Sequence, residues 1–275
     1  MVLDDLLYTG DEEAYTRYAP LVEGTLDFYA RHYNRSAGGE LRIFPTQALE
    51  TYWCGWPANA SSCPTNDAPT VAALHALTSR ALDLPPRLST ATRRAQWAEL
   101  RAALPPVPLV REGGKSVVSP YATYPQQGIG THNSETPELY STHPFRHYTL
   151  GTHLSAGRDI EPSIYCLESS PRQTCRYADG NAGWNQGVLN AALLGRAARA
   201  SRMVLDRAAT APAVGYRFPG FAPAEQDSDT DTDTDTDTLT LTLRPPSRTT
   251  SPPRITSRTW PPRCSSCCSR RLTTG

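Results

Sequence analysis

The stretch from Asn66 to Pro106, NDAPTVAALHALTSRALDLPPRLSTATRRAQWAELRAALPP, reads as two helices parted by a proline pair. Asn66-Asp67 supplies an N-cap, and Pro69 falls in the first turn, where a missing N–H breaks no helical bond. Leu74, Leu77, Ala81 and Leu84 then recur at three- and four-residue spacing, the mark of one buried helix face. Pro85-Pro86 removes two backbone donors in succession and ends that helix. Trp97, Leu100 and Leu104 mark a second stripe, stopped by Pro105-Pro106.

The same grammar extends outward. Thr9-Gly10-Asp11-Glu12 opens a helix, with Thr9 as cap and Glu12 completing a capping box. Its apolar stripe is Tyr18, Val22, Leu26, Tyr29 and Tyr33, and Gly38-Gly39 ends it. Residues 41–66 read as a long loop, and 107–136 as irregular, with a short strand at Ser116-Val117-Val118. Pro137-Glu138-Leu139-Tyr140 starts a helical region running through Phe145 and Leu150. Residues 157–178 read as loop. Asn185 to about Arg207 reads as one helix with Leu189, Leu193 and Ala197 on its buried face. No βαβ alternation and no regular series of strands is present, so the expected class is mainly α.

At Asp227 the composition changes. Five Asp-Thr repeats fill residues 229–238, Leu-Thr repeats follow, and a Pro/Arg/Ser/Thr mixture runs to Gly275. Such a segment buries too little apolar surface to fold, so the expected organisation is a domain over 1–226 and a disordered low-complexity tail over 227–275. The tail's CxxC, within Cys264-Ser265-Ser266-Cys267-Cys268, lacks a second ligand pair and is not read as a zinc site. His143, His147 and His153 lie close together, but hydrogen-bonded histidines are commoner than ligands, and no metal or other cofactor is expected.

Charge is balanced, 27 basic against 27 acidic residues, which argues against a nucleic-acid partner or a basic membrane-surface face. No run approaches the roughly 20 apolar residues of a membrane span. Met1-Val2-Leu3-Asp4-Asp5 has neither a basic region nor an apolar core, so no signal peptide is expected on this chain. Yet Cys54 and Cys63, and Cys166 and Cys175, are spaced for two small disulfide loops. Asn34-Arg35-Ser36 and Asn59-Ala60-Ser61 fit the glycosylation pattern. Together these lean toward a secreted parent protein. Oligomeric state has no signature here.

Two segments place a carboxylate among aromatic residues. Leu41 to Trp53 carries Glu50, and Tyr177 to Gln186 carries Asp179 and Trp184. Glycosidic bond cleavage requires two carboxyls, one protonated to serve the leaving oxygen and one ionised to activate water or attack. The rings of Trp53, Trp56 and Trp184 offer flat apolar faces for a sugar, and aromatic surroundings raise a carboxyl pKa by desolvation. Arg146 suits either a sugar hydroxyl or an ion pair with Glu138. The alternatives are ordinary: Glu50 as a loop carboxylate, Asp179 as the first residue of an Asp-Gly turn, the tryptophans as core rings.

At these residues the chain resembles a known family. Tyr8-Thr9-Gly10-Asp11, Ile43-Phe44-Pro45 leading to Glu50, Pro137-Glu138-Leu139-Tyr140 with His143-Pro144-Phe145-Arg146, and Asp179-Gly180 with Gly183-Trp184 together resemble the catalytic domain of glycoside hydrolase family 95 and its relatives. The resemblance spans roughly residues 6 to 226 and is carried by motif order and spacing. It implies an (α/α)6 toroid and inverting hydrolysis of α-L-fucosides or α-L-galactosides, with Glu50 as general acid and Asp179 assisting water activation. It also implies sugar contacts from Trp53, Trp56, Arg146, Trp184 and Gln186, and carbohydrate as the partner. The family's toroid has twelve helices and a water-holding asparagine pair. Six to eight helices are legible here, and residues 1–40 hold no such pair, so the implied fold is a partial toroid. A non-catalytic carbohydrate-binding remnant of the same fold is the alternative function.

Overall fold

In a computed structural model of the chain, the Asn66–Pro106 stretch forms helices α3 (Ala68–Leu82) and α4 (Ala91–Ala103). The structure describes residues 2–54, 60–125, 135–170, 173–176 and 185–213, all within one compact unit, Met1–Asp231. The low-complexity tail lies outside the described residues. Asp67 caps α3 by accepting from the Thr70 N–H at 2.8 Å, and Thr90 caps α4 by accepting from Arg93 N at 3.2 Å. Leu74, Ala81 and Leu84 are buried, as are Trp97, Leu100 and Leu104. The two helices pack on each other, and α3 also packs against a 3₁₀ turn, Pro137–Ser141.

The described chain is mainly helical. Before α3 come α1 (Val2–Thr9) and α2 (Glu12–His32), packed together. Past α4 come α5 (Leu150–Ala156), α6 (Glu161–Glu168), the single turn α7 (Gln173–Arg176), α8 (Gly187–Leu193) and α9 (Ala197–Ala213). Leu26, Leu41, Ile43, Val71, Trp97, Val117, Leu139 and Leu167 belong to one buried cluster that draws on most of these elements. No described helix is long and apolar enough to cross a membrane.

Among the described residues, four short strands join the helices. Strands β2 (Leu109–Glu112) and β3 (Lys115–Val118) form an antiparallel hairpin with Glu112 opposite Lys115. Its two-residue turn is Gly113-Gly114, both at positive φ, as a tight hairpin of this twist requires. Strand β1 (Thr65–Asp67) pairs antiparallel with β4 (Tyr121–Thr123), which ties the 41–67 segment to the segment after the hairpin. Asn66, at φ 51°, accepts from Ile43 N through its side chain at 2.8 Å and donates its own N–H to Ile43 O at 3.0 Å.

Several expectations change. The cap of α2 is Asp11, accepting from Ala14 N at 2.8 Å, because Gly10 takes positive φ and α1 already ends at Thr9. The expected strand at 116–118 is present as β3, but the expected loops 41–66 and 107–136 also hold β1, β2 and β4. The expected helix after Pro137 is only the 3₁₀ turn, with α5 starting at Leu150. The expected loop 157–178 contains α6, where Pro162 sits in the first turn and Ile164, Cys166 and Leu167 are buried. The expected helix from Asn185 is two helices, because Gly195 at φ 74° interrupts it. The buried face is then Gly187, Asn190, Ala191 and Leu194, and Leu189 is exposed. Both expected cysteine pairs are bonded, Cys54 to Cys63 and Cys166 to Cys175.

Trp97 is 1% exposed at the centre of the α3–α4 packing. Trp97→Ala is expected to destabilise the domain by about 3–5 kcal/mol, read from chemical denaturation. Asp67 is fully buried, and burial holds its carboxyl pKa above the ordinary value despite the bonds from Thr46 and Thr70. A carboxyl raised on folding contributes stability below its unfolded pKa and loses it as pH rises through the folded one. Asp67→Asn keeps a cap but cannot ionise. Wild-type stability relative to this variant is therefore expected to fall as pH rises from about 4 toward neutrality, measured as a difference in melting temperature.

Candidate functional site

Glu50 stands at the tip of a tight loop. Ala48 and Tyr52 bridge its base through two backbone bonds of 3.2 and 3.3 Å. Leu49 adopts φ 57°, a left-handed conformation that costs a non-glycine residue roughly 1–2 kcal/mol and turns the chain sharply. Thr51 is buried behind the tip, whereas Glu50 is exposed. Deeper anchors hold the loop: Thr46 Oγ1 donates to Asp67 Oδ2 at 2.5 Å, and Tyr124 OH donates to the Trp53 carbonyl at 2.9 Å.

A second carboxyl meets this loop. Glu135 is half-buried and lies near enough to Glu50 that the Glu50 backbone N–H and the Glu50 charge both act on its carboxyl. Burial raises the Glu135 pKa, and the Glu50 charge raises it further, while bonds from Tyr140 and from the Glu50 N–H pull it down. The net direction is upward, so Glu135 holds its proton more firmly than a free glutamic acid. The Tyr140 hydroxyl donates to Glu135 Oε1 at 3.3 Å, and Glu135 Oε2 is buried with no hydrogen-bond partner. Tyr140, pushed up to about 12 by burial and by Glu135, remains a phenol at all ordinary pH. Gln186, at the N-terminus of α8, acts on the same phenol and lowers its pKa, and its own Oε1 is buried without a partner among the described residues. Glu50, Glu135, Tyr140 and Gln186 are thus one connected polar group with two buried oxygens unfilled.

The segment carrying Glu135 and Tyr140 is fastened from behind. Thr136 Oγ1 donates to Thr174 O at 2.8 Å. Glu138 is fully buried, and its Oε1 accepts from Thr174 Oγ1 at 2.5 Å. The Cys166–Cys175 disulfide joins α6 to α7. With Pro137 fixing the first residue of the 3₁₀ turn, Glu135 projects from a rigid base.

Of the residues singled out in the sequence, Glu50 acts on Glu135 and Gln186 on Tyr140, which is bonded to Glu135, and Trp53 lies three residues beyond Glu50 in the same loop. Arg146 goes elsewhere: its guanidinium donates to the Tyr8 hydroxyl at 3.2 Å, and its charge acts on Asp4. It is placed against α1, and Glu138 Oε1 is occupied by Thr174 instead. Trp56, Asp179 and Trp184 lie outside the described residues, so the expected Glu50–Asp179 pairing does too. Glu135 and Tyr140 are the residues the sequence reading left without a role. Their signal was the Glu-Thr-Pro step just ahead of the Pro137 motif, a carboxylate fixed beside a conformationally restricted turn.

The histidines serve other ends. His147 Nε2 lies 2.6 Å from Arg158 Nη1, and its ring is 5.0 Å from that of His75. Burial, Arg158 and His75 lower its pKa to about 3. His153 Nδ1 bonds Arg158 O at 2.7 Å. Among the described residues no group of three or more His, Cys, Asp or Glu side chains is arranged to hold a metal ion.

Compared with known proteins, the chain matches no family model, no curated protein and no solved structure.

The coupling of Glu135 to its neighbours has a readable consequence. Glu50→Gln removes a like charge and is expected to lower the Glu135 pKa, whereas Tyr140→Phe removes a donor to the carboxylate and is expected to raise it. Carboxyl ¹³C chemical shifts followed through a pH titration measure both, and shifts of the same sign in the two variants would refute the arrangement.

Proposed function

We propose that this chain is a glycoside hydrolase-like domain that cleaves α-L-fucosides or α-L-galactosides with inversion, using Glu50 and Glu135 as its carboxyl pair. The observation carrying the reading is the coupling between them: Glu135 is half-buried beside the Glu50 loop, and burial and the Glu50 charge both raise its pKa. Two carboxyls whose surroundings push their protonation apart are the electrostatic requirement for acid and base in one site. Glu135, which retains its proton, donates to the leaving oxygen. Glu50, exposed at its loop tip, works on water. The family resemblance gives the acid's role to Glu50 and water activation to Asp179. The burial of Glu135 favours it as the acid, with Asp179 a further candidate on the water side. Gln186 Oε1 and Glu135 Oε2, buried and unfilled, suit sugar hydroxyls and the glycosidic oxygen. Trp53 offers a ring face in the same loop.

The finer architecture belongs to the same proposal. Sequence-adjacent helices pack in pairs, α1 on α2, α3 on α4 and α8 on α9. Paired helices with polar loops are the repeating unit of an (α/α)6 toroid, of which this domain would be a part.

Hydrolysis of chromogenic α-L-fucoside and α-L-galactoside by the full chain tests the reading. Glu135→Gln is expected to lower kcat by roughly 10²–10⁴-fold. If Glu135 is the acid, wild-type kcat/KM falls as pH rises through its raised pKa. The first anomer released, read by NMR, is expected to be inverted. Sugar binding with no turnover in a folded chain would replace this reading with that of a non-catalytic carbohydrate-binding domain.

A further inference from the structure

A cleft of about 680 Å³ opens beside the Glu50 loop, where β1 and β4 meet the β2–β3 hairpin. Phe44, Tyr121 and Tyr124 line it, together with the hydroxyl side chains of Thr65, Ser119 and Thr123. Arg42 completes it, its guanidinium carbon 4.5 Å from the centre of the Phe44 ring. The described residues lining the cleft include no acidic side chain.

That guanidinium differs from the arginines held in ion pairs elsewhere in the domain. Arg35 pairs with Glu99, Arg80 with Asp4, Arg87 with Glu12, Arg93 with Glu23 and Asp27, and Arg196 with Glu168. Arg42 has no carboxylate partner among the described residues, and its side-chain contact is the Phe44 face. A guanidinium resting on an aromatic ring is held in place while its N–H groups stay available, and its weak hydration favours exchange of water for a carboxylate. A carboxylate on the ligand would take up this charge with a stronger, charge-assisted pair than a hydroxyl can make, and no described acid in the lining competes for it.

The cleft also adjoins the loop that carries Glu50. The Tyr52 ring lies 5.0 Å from Tyr121 and 5.9 Å from Tyr124, edge to face in both cases. Tyr124 holds the Trp53 carbonyl. The loop with Glu50 at its tip therefore leads directly into the aromatic lining.

We propose that this cleft binds a carbohydrate residue bearing a carboxylate, with Arg42 pairing the carboxylate and the tyrosine rings packing on the sugar. That the ligand is a sugar rests on the reading given under Proposed function. That it is anionic rests on Arg42 and the absence of described acids around it. The substrate class becomes an acidic glycan, its uronic acid unit held beside the bond to be cleaved.

Titration of the full chain with methyl β-D-glucuronide and with methyl β-D-glucoside, followed by NMR at low salt, tests this. The glucuronide is expected to bind roughly tenfold more tightly, as one charge-assisted bidentate contact allows. Arg42→Gln is expected to abolish the preference, and Arg42→Lys to retain part of it, because lysine keeps the charge without the fork. Arg42 is exposed, so loss of the fold is not expected; retained amide dispersion in both variants verifies it. Equal affinity for the two glycosides, no binding of either at millimolar concentration, or a preference surviving in Arg42→Gln would overturn the proposal. The two readings fail separately. Uronide preference in a chain that hydrolyses no glycoside removes the hydrolytic reading and keeps this one. Turnover of neutral glycosides without uronide preference does the reverse.

Discussion

One buried carboxyl, Asp67, joins the helical core to the loop that carries Glu50. It caps α3 through the Thr70 N–H, takes the Thr46 hydroxyl at 2.5 Å, and stands opposite Tyr121 in the β1–β4 pair. Burying a carboxyl is unfavourable unless its oxygens are bonded, and here the bonds come from Thr46 in the loop and Thr70 in α3, while the Asp67 backbone pairs with a third segment at Tyr121. The arrangement cannot loosen at one contact without exposing the cost of the others. Asn66, at positive φ beside it, fixes Ile43 through a reciprocal pair of bonds, so the entry and the middle of the loop are both held. The position of Glu50 follows from these anchors, since the loop has few regular hydrogen bonds of its own.

Glu135 is positioned by a comparable device on a different segment. Its turn is held to α7 by Thr136 and Glu138, both through Thr174, and α7 is tied to α6 by a disulfide. The candidate site is thus made where two irregular segments meet, each made rigid by buried side-chain bonds. Irregular backbone positions side chains well only when it is anchored in this way. That need accounts for the buried polar residues Thr51, Asp67, Glu138 and Thr174 in a domain of modest core size.

The parts of this fold legible in the sequence are those where apolar spacing and proline agree. In α3 and α4 the stripe, the cap and the terminating Pro-Pro all indicate the same boundaries. Legibility fails where one residue changes a local rule. Gly195 divides a stretch whose apolar spacing reads as continuous, and Gly10 moves the α2 cap to Asp11. Pro162 reads as a breaker but lies in the first turn of α6. The strands are three or four residues long, too short to show alternation, and their pairing depends on partners distant in sequence. Glu50 and Gln186 could be chosen for their aromatic surroundings. Arg146 shared those surroundings in sequence, yet its left-handed backbone at φ 55° accompanies a side chain placed against α1. Glu135 was hidden because its significance is a contact with a loop far along the chain, and no local periodicity encodes that.

The electrostatics of the pair limit how the proposed chemistry can be divided. Glu135 Oε2 is buried and has no partner among the described residues, and the bond to Oε1 comes from the neutral Tyr140 hydroxyl. An anion there is poorly compensated, and an ionised Glu50 nearby makes it poorer still. Glu135 therefore favours its protonated form, and loss of the Glu50 carboxylate alters that preference. A substitution at Glu50 removes its own carboxylate and also makes Glu135 a stronger acid. Its kinetic effect is then a sum of two changes of different pH dependence. If Glu135 is the proton donor, loss of Glu50 moves the alkaline limb of the pH profile toward lower pH as well as lowering the maximum. A residue that only braces the loop would lower the maximum without moving the limb.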